Sequence, residues 1–274
     1  MNVSGPRLHV SPPQGIGLAD CDFYHSMLIP GVGEIIGLWD LRQTVDDYLG
    51  RIDFAGKRVL EIGPASGFLT IEMERRGADV VAVELPEGVG WDFVPFPESF
   101  LAPIREKQIA GMPRLKNSFW FNHAANKSKA VLIHADIYDL PEIGEFDVAV
   151  LASVLLHCQC QTKIISKCAK RCRSILITEL YYPEMTGAVC ELLPTQENGA
   201  WQTWWRFGPD FFTRYLGVIG FGEHESNVPR APAHARAGAH VSDVLGRGVA
   251  DLARVAQALG GFEIDRDELA HAAL

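Results

Sequence analysis

The chain lacks any run of apolar residues near the roughly 20 that a bilayer crossing needs. Its first residues, MNVSGPRLHVSPPQG, lack the apolar centre of a secretory signal. A cytoplasmic protein with no membrane partner is expected. Basic residues are scarce beside acidic ones: 25 Lys and Arg against 34 Asp and Glu leave a formal charge of -9 at pH 7. A broad phosphate-binding surface needs the opposite sign, so nucleic acid is a disfavoured partner. With no secretory signal, Cys21, Cys158, Cys160, Cys168, Cys172 and Cys190 are expected as reduced thiols rather than a disulfide framework. Internal repeats are also absent, which sets aside solenoids and propellers.

What is there is a chain of 274 residues, 47% hydrophobic, long enough for one generous domain or a domain with appendages. Residues 1–20, rich in Pro, Gly and Ser, are expected as a mobile arm. Residues 21–55 pack aromatics and small residues ahead of a helical pattern at Leu41, Val45, Tyr48 and Leu49, and form a candidate cap. Over 56–226 strand and helix patterns then alternate: Arg58 to Ile62, Phe68 to Arg76, Asp79 to Glu84, Ala130 to His134, Phe146 to Ala152, Thr162 to Arg171 and Ser174 to Glu179. Short Val-, Ile- and Leu-rich strands separated by helices predict a doubly wound, mostly parallel α/β sheet. Residues 86–129 form a long aromatic excursion, expected as an insert at the carboxyl edge, where such sheets bind ligands. An aromatic stretch follows the last strand, with a helix predicted from Pro209 to Ile219. The tail 227–274 shifts to Ala, Arg, His and Pro. It serves dimerisation or stays poorly ordered, and the sequence leaves both open.

The stretch KRVLEIGPASGFLTIEMERRGADVVAVEL, Lys57 to Leu85, reads as strand, glycine turn, helix and strand with an acid at its end. A turn there brings backbone N–H groups and a helix N-terminus close to a ligand, and glycine permits the approach. The nicotinamide fingerprint asks for G-x-G-x-x-G. From Gly63 the chain continues Pro64, Ala65, Ser66, Gly67 and Phe68, so two of the three glycines are missing. A pyrophosphate fits this turn poorly.

The spacing E-x-G-x-x-x-G at Glu61, Gly63 and Gly67 resembles motif I of the class I S-adenosylmethionine (SAM) methyltransferases. The resemblance covers roughly Gly56 to Gly222 and implies a Rossmann-like fold with SAM as cofactor. It sets Glu61, Gly63, Pro64 and Gly67 against the amino-acid part of SAM, and Glu84 with Leu85 at the ribose. A carboxylate suits the ribose because it accepts two hydrogen bonds. It also sets Asp136 and Ile137 of IHADIYDLP at the adenine, and Ser153 of EFDVAVLASVLLHC beside the methyl-transfer channel. More narrowly, F-Y-H-S at Phe23 to Ser26, G-L-W-D-L-R at Gly37 to Arg42 and the pair Phe119 and Trp120 resemble a particular branch of the family. It includes the tRNA uridine-34 carboxymethyltransferase and stand-alone relatives that act on small molecules. By that likeness Tyr24, His25, Trp39 and Arg42 close over the cofactor, and Arg42 or a neighbour meets its carboxylate, a task that suits the arginine fork. Plainer readings stay open. The glycines also suit tight strand-helix packing, Asp136 a turn, Arg42 a surface helix, and Tyr24 and Trp39 a core.

SAM presents an activated methyl group, so the protein chiefly positions a nucleophile, excludes water and removes a proton. His157, just past the fourth strand of the core, is the candidate base because imidazole titrates near neutrality. His25, His123, Glu179 and Tyr181 are the alternatives. Trp91, Trp120, Trp201, Trp204 and Trp205, with His25 and Tyr181, are the candidate substrate walls and suit an aromatic or apolar acceptor. Cys158, Cys160, Cys168 and Cys172 match no familiar metal spacing, so no metal is expected. The expected function is methyl transfer from SAM to oxygen, nitrogen or carbon of a small molecule. A tRNA-modifying enzyme and a non-catalytic SAM-binding protein stand as alternatives. Only about 55 residues precede motif I, whereas the tRNA enzymes of the branch carry a further N-terminal region, and together with the acidic balance this favours the small substrate.

Overall fold

Strands this short and this apolar are stable in parallel only when helices cover both faces of the sheet. The computed structural model describes residues 10–86, 89–180, 182 and 184–222. The cap comes first, as an antiparallel pair, β1 Met27–Ile29 and β2 Gly33–Ile35, followed by a one-turn helix, α1 Val45–Tyr48. The core continues with β3 Arg58–Ile62, α2 Phe68–Arg75, β4 Asp79–Glu84, α3 Glu98–Asn126, β5 Val131–His134, β6 Phe146–Ala152, α4 Gln161–Ala169 and β7 Cys172–Thr178. The five core strands are all parallel and lie in the order β5-β4-β3-β6-β7. A second antiparallel pair, β8 Cys190–Leu192 with β9 Trp205–Phe207, and helix α5 Asp210–Val218 complete the described chain. This is the doubly wound α/β architecture the strand-helix alternation predicts.

Alternation along each strand divides two hydrophobic layers. Leu60, Ile62, Val81, Val83, Ile133, Ala149 and Leu151 face Ile164, Ile165 and Cys168 of α4 and Leu216 of α5. Val59, Val80, Val148 and Val150 face Val45 of α1 and Phe68, Leu69 and Met73 of α2. Cys168 and Cys172 are core residues of the first layer. Ala82 and Leu132 extend the second layer toward Phe119 and Trp120 of α3.

Most of the excursion 86–129 is α3, a 29-residue helix that serves as the crossover from β4 to β5. Pro103 and Pro113 lie inside it and interrupt the pattern by which a helix is read. The real loop is the run before Glu98. Within the segment read as an arm, Val10 donates its N–H to Leu132 of β5 at 3.0 Å, and Val10 and Ile16 pack on the Phe119 and Trp120 cluster. Edge strand β5 is therefore partly covered. The tail 227–274 lies outside the described residues. No helix among the described residues is long and apolar enough to cross a membrane.

Candidate active site

From β3 the chain winds outward through β4 to β5, then returns to place β6 on the other side of β3. The carboxyl ends of β3 and β6 therefore flank the switch point, where open α/β sheets bind ligands. The glycine turn sits there. Gly63 and Gly67 have φ of +72° and +76°, and Ala65 between them is also left-handed at +49°. A Cβ on Gly63 would stand 3.0 Å from Val154 Cγ2, and one on Gly67 would stand 3.0 Å from Phe119 Cδ2. The turn is braced from three sides. Pro64 accepts from the Gly67 N–H at 2.8 Å, Asn122 Nδ2 donates to the Ser66 carbonyl at 3.1 Å, and the His25 N–H donates to Ser66 Oγ at 3.2 Å. Asn122 and Ser66 carried no motif that sequence reading could use.

Two carboxyls lie beside the turn. Glu61 is buried and accepts from Thr70 Oγ1 at 2.5 Å. Burial raises it to about 7, against the lowering influence of that bond. Glu84, at the end of β4, is also raised by burial, while the Leu85 and Ala65 amides and the Lys116 charge act the other way. Leu85 donates its N–H to Glu84 Oε1 at 2.8 Å, and its carbonyl accepts from Lys116 Nζ at 2.7 Å. The Ala65 amide thus ties the turn to Glu84 at the carboxyl ends of β3 and β4.

On the other side of the switch point, Ser153 follows β6 in a left-handed conformation, φ +52°. For a non-glycine residue that is strained, and Ser153 is held there by a 2.9 Å bond between its Oγ and Tyr48 Oη. The next residues form a short 3-10 turn, Leu155–His157. His157 Nδ1 lies 2.6 Å from the Gln202 carbonyl. A carbonyl only accepts, so Nδ1 carries the hydrogen and Nε2 keeps its lone pair. Burial lowers the His157 pKa, which favours that neutral form. Its ring ends a column of stacked rings: His157 to Trp91 at 5.8 Å, Trp91 to Trp201 at 6.3 Å and Trp201 to Phe93 at 5.4 Å. Asp92 fixes this loop by bonding Tyr138 Oη and the Gln159 N–H, and its carbonyl accepts from Trp204 Nε1 at 2.7 Å.

The remaining sequence candidates divide. Tyr24, His25 and Trp39 come together: the Leu38 and Trp39 amides bond the Tyr24 carbonyl, and Ser26 bonds that of Trp39. The His25 ring packs on Tyr24 and Phe68, and burial lowers its pKa to about 4, so it is neutral. Arg42 pairs with Glu34 at 2.5 Å and Asp40 at 2.6 Å and lines a cavity of about 200 Å³ running along α2. Its local sequence, D-L-R, supplied the nearer carboxylate. Trp120 is buried against Ala82, Phe119 and Leu132, apart from the ring column, because α3 turns it toward the sheet. Trp204 and Trp205 are buried or half-buried, with Trp205 Nε1 bonding the Cys158 carbonyl at 2.9 Å. Asp136 is exposed and accepts from the Tyr138 N–H at 2.8 Å, while Ile137 packs on the first layer. His123 bonds the Ala130 carbonyl at 3.0 Å on α3. Tyr181 lies outside the described residues.

Val154 and Phe119 pack against the two turn glycines, each with a heavy atom 3.0 Å from the place a Cβ would take. Two buried polar atoms, His25 Nδ1 beside the turn and Glu179 Oε2 at the end of β7, have no hydrogen-bond partner among the described residues. The amides of the turn and the Glu84 carboxyl have the chemistry to meet the amino-acid and ribose ends of SAM. Among the described residues no three of His, Cys, Asp and Glu group as metal ligands.

Comparison with known proteins bears on the same region. No curated protein matches the chain. Among solved structures, the N-terminal domain of EvdMO1, crystallised with S-adenosylhomocysteine (SAH) and D-fucose, is 18% identical with a TM-score of 0.48, over 77% of this chain and 86% of that one. The 1,6-didemethyltoxoflavin-N1-methyltransferase of Burkholderia thailandensis is 16% identical with a TM-score of 0.41, over 65% of each chain. PH1948 of Pyrococcus horikoshii is 14% identical with a TM-score of 0.37, over 52% of this chain and 62% of that one. The chain thus spans less than two thirds of the length of the last two. The family model described as a methyltransferase domain matches residues 40–210, from the end of the cap through the turn, Glu84 and His157 to the start of α5. The chain belongs to the methyltransferase domain family.

Proposed function

We propose that this chain moves a methyl group to a small aromatic or apolar metabolite in the cytoplasm, with His157 as the base. It is a methyltransferase, and SAM is its methyl donor. The bound donor supplies an electrophilic methyl on a positive sulfur. The chain's residues supply the rest. Glu84 takes the ribose hydroxyls, the amides and glycines of 63–67 take the amino-acid end, and the cap residues Tyr24, His25 and Trp39 exclude water.

One observation carries the assignment of the base. The Gln202 carbonyl fixes the hydrogen of His157 on Nδ1, and burial keeps the ring neutral, so Nε2 is ready to take a proton. The flat faces of Trp91 and Trp201 beside it favour a planar acceptor. The likeness of the cap to the carboxymethyltransferase branch supports a second reading, transfer of a carboxymethyl group. Titrating the protein with SAH, SAM and carboxy-SAM separates the two: preference for carboxy-SAM would replace the methyl reading. His157→Ala should keep SAH affinity and lose turnover on an identified acceptor. Full turnover by that variant would end the assignment of His157.

A further inference from the structure

Glu179 follows β7 at the carboxyl edge of the sheet, on the same side of the switch point as His157. Its Oε1 accepts from the Leu155 N–H at 2.7 Å and the Leu156 N–H at 3.3 Å, the amides that open the turn ending in His157. Val154, one residue earlier, is the neighbour that a Cβ on Gly63 would meet at 3.0 Å. Gly63, Val154 and Glu179 therefore form a continuous line from the glycine turn across β6 to β7. Capping the turn needs one oxygen. The other, Oε2, is buried and has no partner among the described residues.

Neither protonation state satisfies that oxygen. An ionised Oε2 lacks a donor, and a protonated one lacks an acceptor, and such unmet groups persist in folded proteins chiefly where a ligand or substrate meets them. The ligand that completes it is placed by the strand order. Glu84 and the glycine turn serve the β4 and β3 side, where the cofactor fits, whereas Glu179, His157 and the ring column lie on the β6 and β7 side. Burial also raises Glu179 to about 8, against the lowering influence of the Leu155, Leu156, Leu180 and Val154 amides, so it holds its proton at neutrality until a hydrogen bond donated by the ligand favours the ionised form.

We infer that Glu179 Oε2 binds the acceptor by taking a hydrogen bond from its nucleophilic O–H or N–H, so that the substrates are aromatic hydroxy or amino compounds. This rests on the methyl-transfer reading above and narrows its substrate class. In the reaction the S–CH3 bond breaks with its electron pair left on sulfur and an O–CH3 or N–CH3 bond forms; an amine keeps one N–H on Glu179 and gives another proton to His157, whereas a hydroxyl, having one proton, gives it to the ionised Glu179. Glu179 orients the nucleophile while that happens.

The test uses the full chain saturated with SAH and four simple probes. Phenol and aniline carry the donor, and anisole and N,N-dimethylaniline have it masked. Ligand-observed saturation-transfer titrations should show phenol and aniline binding roughly tenfold more tightly than their masked partners, the worth of one hydrogen bond to a carboxyl. Glu179→Gln keeps an oxygen for the Leu155 and Leu156 amides but replaces Oε2 with a donor. In that variant the preference should fall to within about twofold while SAH affinity is unchanged. Equal binding of all four probes to the wild type, binding of none of them, or an undiminished preference in E179Q overturns the inference. Should E179Q not fold, the wild-type comparison decides alone. Failure of SAH itself to bind the wild type is a different result and removes the methyl-transfer reading.

Discussion

Replacing Gly67 with alanine puts a methyl group on a residue at φ +76°. A left-handed conformation costs a residue with a Cβ about 1–2 kcal/mol. The reduced freedom of the unfolded chain offsets about 0.4–1 kcal/mol of that. The methyl group would also stand 3.0 Å and 3.3 Å from Cδ2 and Cε2 of Phe119, a ring only 2% exposed and held on α3. Crowding of a packed interior adds about 1–3 kcal/mol, for a total destabilisation of about 2–4 kcal/mol. At about 2–4 °C for each kcal/mol in a chain of this size, the melting temperature should fall by roughly 5–15 °C. Gly56→Ala provides the control, because φ there is +68° and nothing lies within 4 Å of the added atom. It isolates backbone strain. Thermal unfolding of both variants, followed by circular dichroism, should show Gly67→Ala melting well below Gly56→Ala. If the two melt within about 2 °C of each other, the ring contact is not what confines the turn and the packing argument fails.

Glu84→Ala removes two charge-assisted hydrogen bonds expected at the ribose and should weaken SAH binding by roughly 100-fold or more by calorimetry; unchanged affinity would dissociate Glu84 from the cofactor. Glu61 is raised by burial from its ordinary 4.5 to about 7, so its contribution to stability is full below the ordinary value and is lost as pH rises through 7. Glu61→Gln keeps an acceptor for Thr70 and should flatten the decline in melting temperature between about pH 4.5 and 7.5, and a slope identical to the wild type would contradict that assignment. Asp92→Ala frees Tyr138 Oη and the Gln159 N–H. It should cost about 1–3 kcal/mol and reduce the near-ultraviolet dichroism of the Trp91 and Trp201 stack, whereas an unaltered aromatic spectrum would show that Asp92 does not hold the loop.

The strands were legible because each is a short apolar run, and Phe146–Ala152 emerges with the bounds its pattern predicts. Helix α3 was hidden by Pro103 and Pro113, and strands β8 and β9, three residues each, are too short for any period to register. In the candidate site, the glycine spacing and the acid ending β4 were legible, since a left-handed turn favours glycine at fixed positions. Tyr48, Asp92 and Asn122 did not. Tyr48 reaches Ser153 across 105 positions, Asn122 reaches Ser66 across 56, and Asp92 reaches Gln159 across 67. No local pattern encodes such pairs.

The sequence by itself determined the alternation of strand and helix, and with it which residues stand at the carboxyl edge. Both follow from side-chain periodicity and backbone sterics, which act over a few residues. Which of those edge residues meet was decided by the tertiary structure alone. Arg42 pairs with two carboxylates, Trp120 packs into the core, and Glu179 is left with one oxygen that nothing in the described chain satisfies. Hydrogen bonds and ring contacts act over a few ångströms, and only the packed sheet brings β3, β6 and β7 within that range.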